Sequence, residues 1–248
     1  MIVKAGLWRI LSLLGFVMIW HVVSQLTDRT ILPSPVTVLA SLQHHLLEGQ
    51  LLYHLGVTLI RVFISFVVAF AFGSAIGIIM GRSRRFDAAL DGVVILFLNI
   101  PALVTIILCY VWFGLTEVAA IAAVVINKVP IVIVTVREGA RAIDQDLLEV
   151  ADVFQISRMR KLIKVFLPQL YPYFIASARS GLSLIWKIVL IVELLGRSNG
   201  VGFQLGTYFQ FFDITSILAY TIAFAFVVLV IEAVFMHPVE NHISRWRR

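Results

Sequence analysis

Apolar positions run along this chain in blocks far longer than the buried face of a water-soluble helix requires. Residues 62–81, between Arg61 and Arg82, are 20 uncharged positions, and residues 92–116, between Asp91 and Glu117, are 25. Residues 10–27 and 214–231 give two further runs of 18. A bilayer core is crossed by about 20 mostly apolar residues rising about 1.5 Å each, so each of these runs can span it. Two less apolar stretches extend the pattern: 118–136, interrupted by Lys128 and Pro130, and 174–195, which carries Arg179, Lys187 and Glu193. The pattern predicts about six transmembrane helices, at roughly 8–27, 57–81, 91–113, 118–137, 174–195 and 214–236. Every backbone N–H and C=O in hydrocarbon must be paired internally, and the alternating segments of a β-barrel are not visible, so the expected class is an all-α polytopic membrane protein forming one domain over 1–248.

Six spans make the connections alternate sides, and charge then sets the orientation. One set of segments holds Lys4, Arg9, Arg82, Arg84, Arg85, Arg137, Arg141, Arg158, Arg160, Lys161, Lys164, Arg245, Arg247 and Arg248; the other holds only Arg29 and Arg197. Cytoplasmic loops carry the excess of Lys and Arg, so both termini are expected in the cytoplasm. The same loops account for the +6 net charge through membrane lipid, with no need of nucleic acid. Composition agrees, with 60% hydrophobic residues, 14% charged residues and a mean hydropathy of +0.99. The stretch after Lys4 and Arg9 is too long for a signal-peptide core and lacks a small-x-small cleavage site, so a retained first helix is expected.

Little in the chain suggests chemistry of its own. Cys109 is the single cysteine, which excludes an intramolecular disulfide and a thiolate cluster. His44, His45 and His54 share no face with a carboxylate, so no metal site is expected. His21 and His237 are isolated, no catalytic constellation is visible, and no Gly-x-x-x-x-Gly-Lys-[Ser/Thr] phosphate loop occurs. No cofactor and no enzymatic activity are expected of this chain.

The longest polar stretch, about 138–172, predicts two short helices: one with Asp144, Asp146 and Glu149 near its N-terminal turn, one N-capped by Ser157 and stopped by Leu167-Pro168. Val150, Val153, Phe154 and Ile156 are too apolar for a mere connector. They fit a docking site or an interfacial helix lying on lipid head groups.

At this point the chain resembles the inner-membrane permease subunits of bacterial ABC importers, in the branch that serves sulfonates such as taurine, nitrate and related small solutes. The cytoplasmic signature of that family, the EAA loop, is matched by Glu149-Val150-Ala151, by Gln155 where the signature has glycine, and by Val165-Phe166-Leu167-Pro168. Leu32-Pro33-Ser34-Pro35, the Gly73, Gly77 and Gly81 series, Trp112-Phe113-Gly114, and Glu193 followed by Ser198-Asn199-Gly200-Val201-Gly202-Phe203 resemble further stretches in order. Departures are Gln155, Val150, Leu98-Asn99 in place of Arg-Pro, and Lys128 in place of an apolar residue.

The resemblance implies a type I importer permease that dimerises, most simply as a homodimer, and works with two copies of an ATP-binding subunit and a periplasmic or lipid-anchored solute-binding protein. ATP and Mg would reside on the partner. The resemblance casts Glu149, Val150, Ala151, Val153, Phe154, Gln155, Ile156, Arg158, Arg160 and Pro168 as the coupling residues. Within them Glu149 would orient the helix, Val153, Phe154 and Ile156 would fill the ATPase cleft, and Arg158 and Arg160 would meet its acidic rim. Pro168 would stop the helix and set its angle to the fifth span.

Charges inside spans are expensive and need a reason. Arg179, Lys187 and Glu193 fall on one side of a helical wheel, which suggests a Lys187–Glu193 pair and Arg179 with a loop carboxylate. Lys128 and Lys187, with Glu193 and Asn99, are the candidates for the solute path, and cationic lining would suit an anion. The alternative is a secondary transporter with no ATPase partner. It would call for internal repeats, and none is visible.

Overall fold

The computed structural model of the chain describes residues 2–28 and 31–236; Arg29, His237, Arg245, Arg247 and Arg248 lie outside them. The regular elements are α1 (Ile2–Leu26), α2 (Pro35–Leu47), α3 (Leu51–Arg82), α4 (Arg84–Asn99), α5 (Ala102–Phe113), α6 (Glu117–Arg141), α7 (Gln145–Val153), α8 (Arg158–Lys161), α9 (Leu167–Gly196), α10 (Val201–Gln210) and α11 (Ile214–Ile231). Among the described residues all are helical. Among the described residues four stretches are long and apolar enough to cross a membrane: Leu51–Arg82, Glu117–Arg141, Arg158–Gly196 and Ile214–Val234. The first span expected at 8–27 lies in α1, a helix of 25 residues.

The third expected span is not one helix. α4 and α5 together have the length and apolarity of a span, yet they meet at a bend of 97°. Pro101 explains the break. Its ring pushes Ile100 into extended backbone (φ −74°, ψ 123°), and its missing N–H ends the hydrogen-bond ladder at Asn99. Uncharged residues 92–116 therefore fold as an elbow.

The fifth span departs in the other direction. Pro168 does not stop a short helix; α8, a π-helical turn (Leu162–Phe166) and α9 run on as a 39-residue rod from Arg158 to Gly196. The Leu167 N–H bonds Leu162 O, five residues back, and this wider turn admits a proline that cannot donate to its own ladder. At about 1.5 Å per residue the rod is roughly 58 Å long, nearly twice a ~30 Å bilayer core, so one end must project from it.

α3, α6 and α9 form the centre. α3 and α6 run parallel, and their contact follows the four-residue glycine spacing. Gly73 meets Val132, Gly77 meets the Ile133 carbonyl and Val136, and Gly81 meets Ala140 and the Arg137 carbonyl. A Cβ built on Gly77 would lie 2.8 Å from Ile133 O, so these positions have room only for hydrogen. α9 packs antiparallel against α6, and the core of Val62, Ile106, Tyr110, Val124, Trp186 and Val189 closes between them. α1 touches the rest lightly, through Trp20 Nε1 donating to Pro33 O at 3.1 Å. Large apolar side chains such as Phe63, Phe72, Val111 and Phe226 remain exposed, as a lipid-facing surface requires.

Candidate functional site

Two polar constructions stand out, one at each end of the bundle. At the end holding the α6 N-terminus and the α9 C-terminus, Arg61 is 3% exposed and bonds three residues. Its Nε and Nη2 grip Glu117 at 2.9 and 2.6 Å, Nη1 donates to Glu193 Oε1 at 2.7 Å and to Asn199 O at 2.9 Å, and Nη2 also reaches Asn199 Oδ1. Arg197 Nη2 donates to the same Glu117 oxygen at 2.6 Å. Glu193, fully buried, accepts the Gly202 N–H at 2.9 Å and lies 2.9 Å from Thr58 Oγ1, while the Val201 N–H donates to Thr58 and the Gly200 N–H to His54 Nδ1.

The local sequence explains the build. Gly200 sits at φ 109°, in the left-handed region that side chains rarely adopt, and turns the chain back over α9. The first N–H groups of α10 then face Glu193 and Thr58, which serve as its cap, and the helix dipole favours the carboxylate there. Two arginines and two glutamates balance. The construction ties α3, α6, α9 and α10 into one body.

This arrangement corrects the pairing expected within the fifth span. Glu193 pairs with Arg61 of α3, and Lys187 makes no ion pair among the described residues. Arg179 faces Glu232 at 4.0 Å. Arg61, Glu117 and Thr58 were not singled out by sequence reasoning, and His54, weighed there only as a metal ligand, is buried at 3% exposure, although a lone arginine in an apolar helix is a signal that a partner is buried nearby.

The other construction is the 142–166 segment. Asp144 Oδ1 accepts the Asp146 N–H at 2.9 Å and the Leu147 N–H at 3.4 Å, capping α7. At the far end the Gln155 N–H bonds Asp152 O and the Ile156 N–H bonds Ala151 O, the paired bonds of a Schellman turn, with Gln155 at φ 53°. Gln155 thus takes the left-handed conformation that glycine would adopt without strain. Ser157 occupies the N-cap position of α8 without a side-chain capping bond. Lys161 Nζ reaches back to Asp152 at 2.6 Å.

The side chains expected to face a partner divide in two. Val153 and Phe154 are 80% and 75% exposed, and Glu149, Val150, Gln155, Arg158, Arg160 and Pro168 are also exposed. Ala151 is buried and Ile156 half-buried, so these two hold the loop on its own base and do not present it outward.

The expected path residues are not brought together. Lys128 is 1% exposed within α6, Glu193 belongs to the buried tether, and Asn99 is exposed at the elbow with Nδ2 donating to Ile95 O. Lys187 is exposed and shares a cavity of about 370 Å³ with Arg179, Ser183, Trp186, Phe224 and Glu232, between α9 and α11. Among the described residues no cluster of three His, Cys, Asp or Glu side chains could hold a metal.

Comparison with known proteins supplies the context for this geometry. Residues 73–248 match the family model described as a binding-protein-dependent transport system inner membrane component. A Bacillus subtilis chain described as an aliphatic sulfonates transport permease protein, SsuC, is 30% identical over 231 residues, covering 92% of this chain and 83% of that one. The taurine transport system permease protein TauC of Escherichia coli is 26% identical, with 92% and 85% covered. The bicarbonate transport system permease protein CmpB of Synechococcus elongatus is 28% identical, with 80% and 76% covered. Among solved structures, a chain from an inward-facing MetNI methionine ABC transporter superposes with a TM-score of 0.62 at 18% identity, covering 76% of this chain and 92% of that one. A chain of an amino acid ABC transporter gives 0.59 at 19% identity, with 79% and 93% covered.

Proposed function

The chain belongs to the family of binding-protein-dependent transport system inner membrane components, and on that footing we propose that it is the permease subunit of an ATP-driven importer, coupled through α7 and the start of α8 to a separate ATP-binding subunit. The observation that carries this reading is the loop itself. A nine-residue helix, capped at both ends, leaves the large apolar side chains of Val153 and Phe154 exposed. Glu149 orients the helix, Val150, Val153 and Phe154 enter a cleft on the ATPase, and Arg158 and Arg160 meet its acidic rim. ATP and Mg belong to that partner, since this chain has no phosphate loop.

The 39-residue rod supplies the lever. A push on α8 passes through the π-turn and α9 without a joint to the buried tether of Glu193 and Arg61, so α3, α6, α9 and α10 move together. Two such subunits, most simply two copies of this chain, would sit in a bacterial inner membrane with both termini in the cytoplasm. A periplasmic or lipid-anchored binding protein would deliver the solute to them. Arg179 and Lys187 cannot face lipid cheaply, so the α9–α11 cavity is assigned to the path, with Lys128 and Asn99 as further candidates. A cationic path suits a small anion, and relatives named for sulfonates, taurine and bicarbonate support that class.

Reconstitution in liposomes tests the reading. With the ATP-binding subunit and a loaded binding protein present, ATP hydrolysis is expected to rise and solute to accumulate. Accumulation without any ATPase would instead identify a secondary transporter.

A further inference from the structure

The coupling helix is not part of the rod that it is assigned to drive. α7 ends at Val153, the chain turns through Gln155, and α8 begins only at Arg158. Two polar fastenings hold α7 to the rod. At its start, Gln169 of α9 accepts the Asp144 N–H through Oε1 at 2.9 Å and donates from Nε2 to Val165 O, inside the π-turn, at 3.1 Å. At its end, Lys161 Nζ lies 2.6 and 2.7 Å from the two carboxylate oxygens of Asp152. Between these points Ile143 and Leu148 rest in a cluster with Phe166 and Leu170 of the rod.

The chemistry at Gln169 admits few alternatives. The Asp144 N–H is a donor and Val165 O an acceptor, so the side chain between them must offer an oxygen to one and an N–H to the other. A carboxamide does both, and its two partners fix which way round it lies. Glutamate of the same length would set an oxygen against the Val165 carbonyl, and methionine would make neither bond. Asp144 also caps α7 with its carboxylate, so this amide pins the pivot of α7 to the π-turn. A pivot alone leaves the helix free to swing. Val153 lies roughly 14 Å from Asp144 at about 1.5 Å per residue, and a load there turns α7 unless its far end is tied. The apolar seat is non-directional and resists lifting more than swinging, so the tie falls to Lys161 and Asp152.

Resting on the importer reading above, we propose that Gln169 is the positioning residue that joins the coupling helix to the rod, with the Lys161–Asp152 pair as its second fastening, so that α7 and the segment Arg158–Gly196 move as one body. Val153 and Phe154 receive the push, yet neither belongs to the rod, and the two fastenings are where the push crosses to it. Gln169 acts through Asp144 and is given no contact with the ATPase or the solute. An exposed ion pair adds little to stability, so the value of Lys161 and Asp152 lies in fixing a direction.

The test uses the full chain in complex with an ATP-binding subunit, in a Cys109→Ala background. Nitroxides on Asp146→Cys and Leu184→Cys, both exposed positions, report the distance from α7 to the rod by pulsed electron spin resonance. In a separate sample, the reactivity of Leu194→Cys toward a membrane-impermeant maleimide reports the far end of the rod. With the fastenings intact, one narrow distance is expected with and without ATP and Mg, while the Leu194→Cys labelling rate changes when nucleotide is added. Gln169→Met is expected to widen the distance distribution and to cut the nucleotide response by about three- to tenfold, with affinity for the ATP-binding subunit kept within about twofold. Lys161→Asp should act in the same direction, and adding Asp152→Lys should restore both readouts, which a mere loss of stability would not allow. A nucleotide response that survives Gln169→Met, or one that is lost only in step with complex formation, would overturn this proposal alone. Absence of any nucleotide response in the chain with intact fastenings would overturn the importer reading as well.

Discussion

Arg61 and Glu193, 132 residues apart in the chain, meet at 2.7 Å with both side chains buried. A carboxylate in that position would be ruinous alone. Desolvation raises the cost of a buried charge by several kcal/mol, and only the guanidinium, the Thr58 hydroxyl and the Gly202 N–H offset it. Arg61→Met, which removes one partner and leaves Glu193 buried, is expected to cost about 3–5 kcal/mol, read as a large fall in the thermal midpoint of the detergent-solubilised protein. Glu193→Gln, which keeps an acceptor for the Gly202 N–H, should cost less. Equal tolerance of both substitutions would mean that the tether contributes little.

Gln155 offers a test of the loop. Its φ of 53° is unfavourable for a side-chain-bearing residue by about 1–2 kcal/mol. Gln155→Gly is expected to be neutral or to stabilise by up to about 1 kcal/mol, and Gln155→Val to destabilise by at least that much. The thermal midpoint reports both, and a neutral valine would show that the turn is not left-handed.

The α3–α6 contact is stricter. Gly77→Leu would drive a side chain into the Ile133 carbonyl and Val136, and overpacking of this kind costs about 3 kcal/mol or more where backbone must move. We expect this variant to lose its monodisperse elution in detergent, whereas Gly56→Leu, where added atoms meet open space, should elute normally.

His45 brings a pH dependence outside the spans. It lies within 2.9 Å of Ser216 Oγ and packs on the rings of Tyr208 and Tyr220, and burial, followed by the neighbouring His44, holds its pKa below the usual 6.5. The unfolded chain therefore takes up this proton more readily, so the contribution of neutral His45 is complete above about pH 6.5 and declines as pH falls below it. His45→Gln should flatten the difference in thermal midpoint between pH 7.5 and pH 5. An unchanged difference would show that another group carries it.

Much of the architecture could be read from the chain because one-dimensional signals suffice for it. Uncharged run lengths located the spans of α3 and α11, the four-residue glycine spacing marked the face that α6 covers, and Asp144 announced the start of α7. The misses have local causes too. Pro101 breaks a run whose length alone suggested a straight helix. Pro168 was expected to end a helix that a single π-turn carries past it. The buried tether was beyond reach for a different reason. Arg61, Glu117 and Glu193 each look like isolated charges, and only the packing of three helices brings them within 3 Å. Exposure along α7 and its C-terminal turn was mostly legible, but the burial of Ala151 and half-burial of Ile156 were not, since which face of a short helix rests on its base depends on the turn that follows it.

The most direct test of the proposed coupling role is co-expression with a candidate ATP-binding subunit from the same genome, followed by affinity purification in detergent with and without Val153→Asp and Phe154→Asp. Both side chains are exposed, so the variants are expected to fold normally and to elute as the unmodified chain does. The account predicts a stable complex for the unmodified chain and its loss in both variants. A complex that survives both substitutions, or a chain that purifies alone in every case, would contradict the assignment of α7 as the coupling element.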